Sequence, residues 1–335
     1  MRPRFLAYDG LNRVLIGEFQ LTARFSFPFP AFPVHSTHCE FMTTSCFLPP
    51  SFVFLAALAG LTIPGHGADL RSDLERTYRS WAAAITQRSL PLWEEQTAAH
   101  RQVITHNFVV SRKAKWPDAI FDLPFRLPEI ATLSHLATFE KGDTANIIYY
   151  GKVDFGLLEG SVPSNVLVLK FAREKGVWKF DNTRFFNLDA DPAVRQLIAN
   201  DELDFLNDPE FQPTGEVPPV PRLISGFDHP GEIWIASIGY ETTVTIGDLH
   251  STKVGDNIVT DVVIGGLARS GLPVTVQAKE LPLPPGGERR LQVEIYALRR
   301  DKPAVKVWEY RPALENALAP YAAKVYANAV TMQDE

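Results

Sequence analysis

Residues 165–188, NVLVLKFAREKGVWKFDNTRFFNL, contain two β-like segments joined by a short polar turn. The first segment is rich in branched apolar residues and runs to Ala172, and the second begins at Val177. The residues between them, 174–176, end in a glycine, which favours the tight turn of a hairpin. The second segment alternates, with Trp178 and Phe180 on one face and Lys179 and Asp181 on the other. The stretch therefore predicts an antiparallel hairpin with one buried face.

The stretch at 144–155, TANIIYYGKVDF, also has a period of two, which predicts a further strand. One face of this strand is apolar or aromatic and comprises Ala145, Ile147, Tyr149, Val153 and Phe155. The other face comprises Ile148, Tyr150, Lys152 and Asp154.

Two helices are predicted before these strands. An apolar stripe recurs at intervals of four, three and four residues, at Leu74, Tyr78, Trp81 and Ile85. Ser72 and Glu75 have the spacing of a capping box at the start of that helix. A second helix is predicted from Leu92 to about Ile104.

Helices followed by curved strands, closed by the hairpin strand GVWKFDNTRF, resemble the nuclear-transport-factor-like superfamily. This superfamily has the cone-shaped α+β fold of ketosteroid isomerase and the SnoaL-like proteins. The resemblance covers about Asp69 to Leu188 and implies a cone-like domain over 68–206. It also implies a central cavity, which the superfamily uses in isomerases, in dehydratases and in non-catalytic binding or assembly domains.

The second half of the chain follows a proline-rich segment, 207–222, which predicts an extended linker. Residues 223–311 then contain short apolar segments separated by glycine-rich turns, which predict an all-β antiparallel sandwich domain. The predicted strands are Glu232–Ile238, Thr242–Ile246, Asn257–Ile264, Val274–Lys279, Leu291–Leu298 and Ala304–Tyr310. Residues 312–335 are predicted to form a C-terminal helix and tail, interrupted at Pro320.

The beginning of the chain contains an apolar run of twelve residues, 52–63. This run is too short for a membrane-spanning helix, which needs about 20 apolar residues, but it fits the core of a signal peptide. We therefore predict a signal peptide at 42–67 with cleavage after Gly67, although no lysine or arginine precedes the run from Met42 onward. The alternative is a buried helix of a cytosolic protein. Residues 1–41 are interpreted as a non-native upstream extension or as a long, arginine-containing start of the signal.

Composition limits the class of protein. Residues 1–67 contain both cysteines, four arginines and three acidic residues, so the remaining 268 residues have no cysteine and a net charge of −7. An acidic chain of this kind is not expected to bind nucleic acid, and no later segment is long enough to span a membrane. We expect a periplasmic or secreted protein that binds no metal or other cofactor.

Candidate catalytic residues are few, because no phosphate loop, zinc-binding helix or nucleophile elbow is present. In a cone cavity, His106, Tyr149 and Asp154 would be the candidate acid, base and hydrogen-bond groups. The alternative is that His106 is a polar residue near a helix end and that Asp154 is a solvated residue of a strand edge.

Candidate ligand-binding residues lie in the basic and aromatic segment 111–130, at Arg112, Lys115 and Trp116. Such a segment suits an anionic ligand or a sugar face, or it covers a hydrophobic core with its lysines in solvent. Trp234 and Trp308 are predicted to pack in the sandwich core, with ligand binding as the alternative.

The sequence favours an exported, non-enzymatic, two-domain binding or assembly protein whose partner is a protein or a cell-envelope polymer. A small-molecule isomerase or dehydratase is the first alternative, and a carbohydrate-binding accessory protein is the second.

The export hypothesis predicts the mature N-terminus. Intact mass and N-terminal sequencing of the protein from its native cell should give Ala68 as the first residue, in the periplasmic or extracellular fraction. A chain that begins at Met1 and is recovered from the cytosol would contradict export and would favour a metabolic enzyme.

Overall fold

The structure is a computed structural model that describes residues 66–327, apart from positions 124, 157–161, 189–191, 284–285 and 301. The predicted upstream extension and the signal peptide up to position 65 lie outside the described residues. The described chain begins with helices and continues into two antiparallel sheets, one of four strands and one of six.

The first unit contains four α-helices and the four-stranded sheet. Its helices are α1 (His66–Thr86), α2 (Leu90–Gln96), α3 (Ala99–Ser111) and α4 (Pro192–Ala199). Its strands are β1 (Ser134–Lys141), β2 (Thr144–Lys152), β3 (Ser164–Glu174) and β4 (Val177–Asn187), and they pair in that order.

The hairpin predicted at 165–188 is confirmed. Strands β3 and β4 are antiparallel, and Glu174 is the register partner of Val177. Lys175 has φ +51° and Gly176 has φ +80°, so both central turn residues are left-handed, as in the turns that fit the twist of a two-residue hairpin.

The helices differ from prediction at two points. The first helix begins at His66 rather than near Ser72, so Ser72 and Glu75 lie within α1 and do not form a capping box. The predicted second helix is divided between α2 and α3, because Thr97 forms a parallel bridge to Phe180 and the Ala98 N–H donates to the Phe180 carbonyl at 2.9 Å. This tertiary pairing ends α2 one residue before Thr97.

Both faces of the first sheet are covered. The face predicted to be apolar packs Ile147, Tyr149 and Phe180 against α1 and α2, through residues such as Trp81 and Trp93. The opposite face packs Ile148, Val168 and Phe186 against α4 and against Leu206 and Phe211. The predicted linker therefore begins as part of the hydrophobic core of the first unit.

The second unit is a six-stranded antiparallel sheet. Its strands are β5 (Gly231–Ile246), β6 (His250–Val262), β7 (Leu272–Glu280), β8 (Arg290–Arg299), β9 (Lys302–Tyr310) and β10 (Tyr321–Val325). One edge of β5 pairs with β6, and the other edge pairs first with β8 and then with β7. Its core contains Ile233, Val244, Val276, Val293 and Ile295.

The predicted sandwich is not confirmed, because β5 and β6 run through both halves of one curled sheet. The two strands predicted at 232–246 are a single strand with a bend at Gly239, which has φ +71°. The Gly239 N–H donates to the Asp256 carboxylate at 2.8 Å, and Asp256 itself has φ +43°. The paired strands therefore bend together at this point.

The curl brings β9 and β10 together through aromatic side chains. The Tyr310 and Tyr321 rings stack with centroids 4.2 Å apart, and Trp308 lies 6.2 Å from Tyr321. The predicted C-terminal helix is therefore wrong over 321–325, where the chain forms β10. Pro320 cannot continue a helix, and the edge of β7 offers backbone partners to this segment.

The two tryptophans of the second unit have different environments. Trp308 packs against the core of the sheet, as predicted. Trp234 is half-buried outside the core cluster, so the prediction that it packs in the core is wrong. It lies on the other face of β5 from Ile233, where Glu294 is its register partner and the Arg290 guanidinium lies 5.3 Å from its ring.

The β1–β2 turn provides a test of how the proline-rich segment is held. Gly142 has φ +53°, and a Cβ atom there would lie 2.2 Å from the Gly215 carbonyl oxygen, which also accepts a hydrogen bond from the Asp143 N–H at 3.0 Å. Gly142→Ala should lower the free energy of unfolding by about 1–2 kcal/mol for the left-handed backbone and by about 1–3 kcal/mol more for the clash. Denaturant unfolding measures both terms.

Gly176→Ala is the matched control, because Gly176 is also left-handed but a Cβ atom there would meet nothing within 4 Å beyond its own chain neighbours. It should lose only the backbone contribution. Equal losses for the two variants would show that Gly215 does not pack on this turn.

Candidate functional site

Tyr149, a predicted site residue, belongs to an ionic cluster between α1 and β2. The Tyr149 hydroxyl donates to Glu75 Oε1 at 2.8 Å, and Arg71 Nε donates to the same oxygen at 2.7 Å. Arg79 Nη2 donates to Glu75 Oε2 at 2.5 Å. Glu75, which the sequence analysis assigned to a helix cap, is therefore the acceptor that joins the helix to the sheet.

The protonation states of this cluster are fixed by its hydrogen bonds. Burial alone would raise the pKa of Glu75, but the hydrogen bonds from Arg71 and Tyr149 outweigh burial and lower it. Burial and the adjacent Glu75 raise the pKa of Tyr149. At neutral pH the cluster is an ionised carboxylate held by a neutral phenol and two guanidinium groups, which suits a structural role.

The three candidate catalytic residues do not contact one another. The His106 ring packs edge-on against Trp116 with centroids 4.8 Å apart. Asp154 is exposed, accepts the Gly156 N–H at 2.7 Å and lies 3.2 Å from Arg126. Within the described part of the chain, the hydrogen bonds and ring contacts of these three residues go to other partners.

The basic and aromatic segment faces two environments. Lys115 is 83% exposed and pairs with Asp118 at 2.6 Å. Trp116 packs edge-on against Trp93 at 5.8 Å, at the margin of the core of the first unit. The Arg112 guanidinium lies 5.6 Å from the Phe108 ring. The structure thus places Trp116 against the core and Lys115 in solvent.

A cleft of about 870 Å³ lies between the two units. Part of its lining is a row on the first sheet formed by Asn146, Lys170 and Asn182, which are successive register partners on β2, β3 and β4. Helix α3 contributes Arg101, Ile104, Asn107 and Phe108 to the lining. The remaining lining comes from segment 212–221, from residues on and around β6, and from four further residues of the first sheet, Thr144, Phe171, Ala172 and Asp181.

The walls of the cleft are joined by hydrogen bonds from α3. The buried Asn107 side chain donates to the Arg222 carbonyl at 2.8 Å and accepts the Ile224 N–H at 3.0 Å. The buried Ser111 hydroxyl accepts the Gly265 N–H at 2.9 Å. These contacts position the second unit relative to α3.

Asp181 is the acidic residue on the first-unit side of the cleft. Its Oδ1 atom accepts from His100 Nε2 at 2.8 Å and from Arg101 Nε at 3.0 Å. Burial alone would raise the pKa of Asp181, but Arg101 and His100 together lower it to about 2. The carboxylate therefore stays charged throughout the physiological pH range.

His250 belongs to a hydrogen-bonded chain on the β6 side. His250 Nδ1 accepts the Ile264 N–H at 3.2 Å, so the neutral ring carries its proton on Nε2, which lies 3.1 Å from Thr252 Oγ1. The Thr252 hydroxyl donates to Asp261 Oδ2 at 3.2 Å. Burial lowers the pKa of His250 more than Asp261 raises it, so the ring is neutral at pH 7.

The sequence analysis did not single out Asp181 or His250 as site residues. Alternation placed Asp181 on the polar face of its strand, which is the only sequence signal for it. The sequence gives no such signal for His250. Its link to Asp261 passes through Thr252, and Thr252 and Asp261 lie nine residues apart, on either side of the bend at Asp256.

No protein-family model and no curated protein matches the chain. A solved structure, that of an NTF2-like protein of unknown function from Pseudomonas putida KT2440, is similar at 14% sequence identity and a TM-score of 0.24. The similarity covers 36% of this chain and 87% of that one. None of the helices in the described part of the chain has both the length and the hydropathy needed to cross a membrane.

The Asp181 cluster gives a prediction about acid stability. Because the pKa of Asp181 is lower in the folded chain than the ordinary value of 3.8, the cluster stabilises the fold above about pH 4 and loses this effect as the pH falls toward 2. Asp181→Asn should lower the free energy of unfolding at pH 6 by about 2 kcal/mol, and the difference from wild type should shrink between pH 4 and pH 2.

Asp154→Asn is the control, because it makes the same chemical change in an exposed ion pair with Arg126. Exposed pairs contribute little to stability, so this variant should follow the wild-type curve. Denaturant unfolding at several pH values measures both. An Asp181→Asn variant as stable as wild type at pH 6 would contradict the prediction.

Proposed function

We propose that the protein is an exported, non-enzymatic, two-domain binding protein whose ligand occupies the cleft between the two units. The observation that carries this proposal is the cleft itself, which has a volume of about 870 Å³ and a lining drawn from both units. This volume lies within the range of about 300–1,000 Å³ that is typical of ligand sites. The hydrogen bonds of Asn107 and Ser111 support a cleft of defined shape.

The chemistry of the lining supports binding rather than proton transfer. A general acid or base works best with a pKa near the operating pH. Asp181 has a pKa of about 2 and is held by two hydrogen-bond donors. Both ring nitrogens of His250 have hydrogen-bond partners, and burial keeps the ring neutral. Amide, hydroxyl and proline side chains make up much of the rest of the lining.

The proposal includes a family and a location. We infer that the first unit is a divergent member of the nuclear-transport-factor-like superfamily, which the order of its elements supports, with three helices before a four-stranded antiparallel sheet. Export is supported by the sequence of 42–67 and by the lack of cysteine after it. The ligand class proposed from the sequence, a protein or a cell-envelope polymer, fits a cleft that is open to solvent.

The carbohydrate alternative gains no support from the two tryptophans on which it depended. Arg290 lies over the Trp234 ring, and Trp308 stacks on Tyr310 with centroids 6.3 Å apart. The Trp234 ring is therefore covered by a guanidinium, and the Trp308 ring packs against the core and against Tyr310.

Site-specific photo-crosslinking in the native cell tests the proposed cleft. A benzoylphenylalanine at Ser251, which is exposed and lines the cleft, should give a discrete crosslinked species. The same group at Lys302, which is exposed on β9 outside the cleft lining, is the matched control and should not give that species. Equal crosslinking at both positions, or none at Ser251, would contradict binding in the cleft.

A further inference from the structure

Strand β6 has a free edge that borders the cleft. Among the described strands, β6 pairs only with β5. Six consecutive residues, Leu249–Val254, line the cleft. Side chains of successive strand residues point to opposite faces, so a run of this kind shows that the edge of β6, and not one of its faces, borders the cleft.

The other edge strands of the described sheets are protected against pairing. The edge of β4 is occupied at Phe180 by Thr97 and Ala98. Strand β1 has an irregular register between His135 and Ala137, and β10 has only five residues. Strand β9 begins with exposed Lys302 and Pro303. Bulges, short strands, lysine and proline are the usual means of blocking edge-to-edge pairing.

Strand β6 also has an exposed lysine, Lys253, and a register shift at its bend, but its first part lies along the cleft. It is 13 residues long, and its first part, 250–254, precedes the bend at Asp256. In an antiparallel strand, alternate residues direct their N–H and C=O groups away from the paired neighbour. These outward groups on 250–254 can pair with one further strand, and a recessed edge admits a single extended chain more readily than the edge of another sheet.

We propose that an extended polypeptide segment of another protein adds to the edge of β6 along 250–254. This inference rests on the proposed function and names the ligand class of the same cleft. Strand addition obtains affinity from main-chain hydrogen bonds and specificity from pockets for alternate side chains. The row Asn146, Lys170 and Asn182 lines the same cleft and offers polar groups to those side chains.

Charge complementarity favours a neutral or acidic segment. The cleft lining includes three cationic residues, Arg101, Lys170 and Lys253, and two acidic residues, Asp181 and Asp261. Arg101 pairs with Asp181 at 3.0 Å and Lys253 pairs with Glu241 at 2.9 Å, so these charges largely offset one another. The cation of the row on the first sheet is Lys170, which favours an acidic side chain over a basic one at its position.

The test begins with a displayed library of random 12-residue peptides selected on the full-length protein. Enriched peptides should be neutral or acidic. Each enriched peptide is then resynthesised with single backbone N-methyl groups, which remove one N–H donor at a time. Strand addition predicts at least tenfold weaker binding at alternate positions and unchanged binding between them. Hydrogen exchange should show new protection of alternate amides in 250–254.

Two protein variants separate the outcomes. Lys170→Glu changes the cleft lining and should weaken acidic peptides at least fivefold, whereas Lys302→Glu makes the same change on β9 and should have no effect. Peptides that respond to Lys170→Glu but tolerate N-methylation at every position would overturn strand addition and leave the cleft as the binding site.

The remaining outcomes are also decisive. If no peptide is enriched but a cell-envelope oligosaccharide binds and is weakened by Lys170→Glu, strand addition is wrong and the proposed function stands. If acidic peptides bind equally to wild type and to Lys170→Glu and tolerate N-methylation at every position, or if neither class of ligand binds, both proposals are overturned.

Discussion

Together with the Ser111 hydroxyl on the same helix, the carboxamide of Asn107 sets the arrangement of the two units. The carboxamide is buried, it donates to one backbone carbonyl and it accepts one backbone N–H, on either side of Leu223. A buried amide that loses such partners costs about 1–3 kcal/mol for each unsatisfied group. The chain that leaves the proline-rich segment is therefore fixed to α3, and the shape of the cleft follows from this attachment.

The proline-rich segment has two parts with different roles. Phe211 is buried in the core on the second face of the first sheet, so the segment begins as a covering element. Residues 212–221 then border the cleft, with Gly215 held against Thr144 and Asp143 of the β1–β2 turn. Residues 217–222 have no regular secondary structure, as the proline content indicates, but residues 209–211 form a turn, and composition carries no information about which surface the chain lies on.

Elements with strong local signals could be predicted, and elements set by distant partners could not. Alternation and a glycine turn were sufficient for the β3–β4 hairpin, because these signals lie within one short stretch. The end of α2 depends on Phe180, and β10 depends on β7, so neither has a local cause. The same limit applies to the site. His100 and Asp181 are 81 residues apart, and no spacing rule connects them.

The free edge of β6 is linked to the way in which the second sheet curls. Stacking of Tyr310 on Tyr321 brings β9 and β10 together at one side of the curl, but no described strand completes the other side, where β6 ends the sheet. Helix α3 lines the cleft on that side, and its Ser111 hydroxyl accepts the N–H of Gly265, which follows β6 in the chain. A further strand of the same chain would fill the space that the cleft now occupies. The edge of β6 is therefore unpaired among the described strands, and α3 and segment 212–221 border the cleft beside it. A cleft of this kind suits one extended chain better than a second sheet.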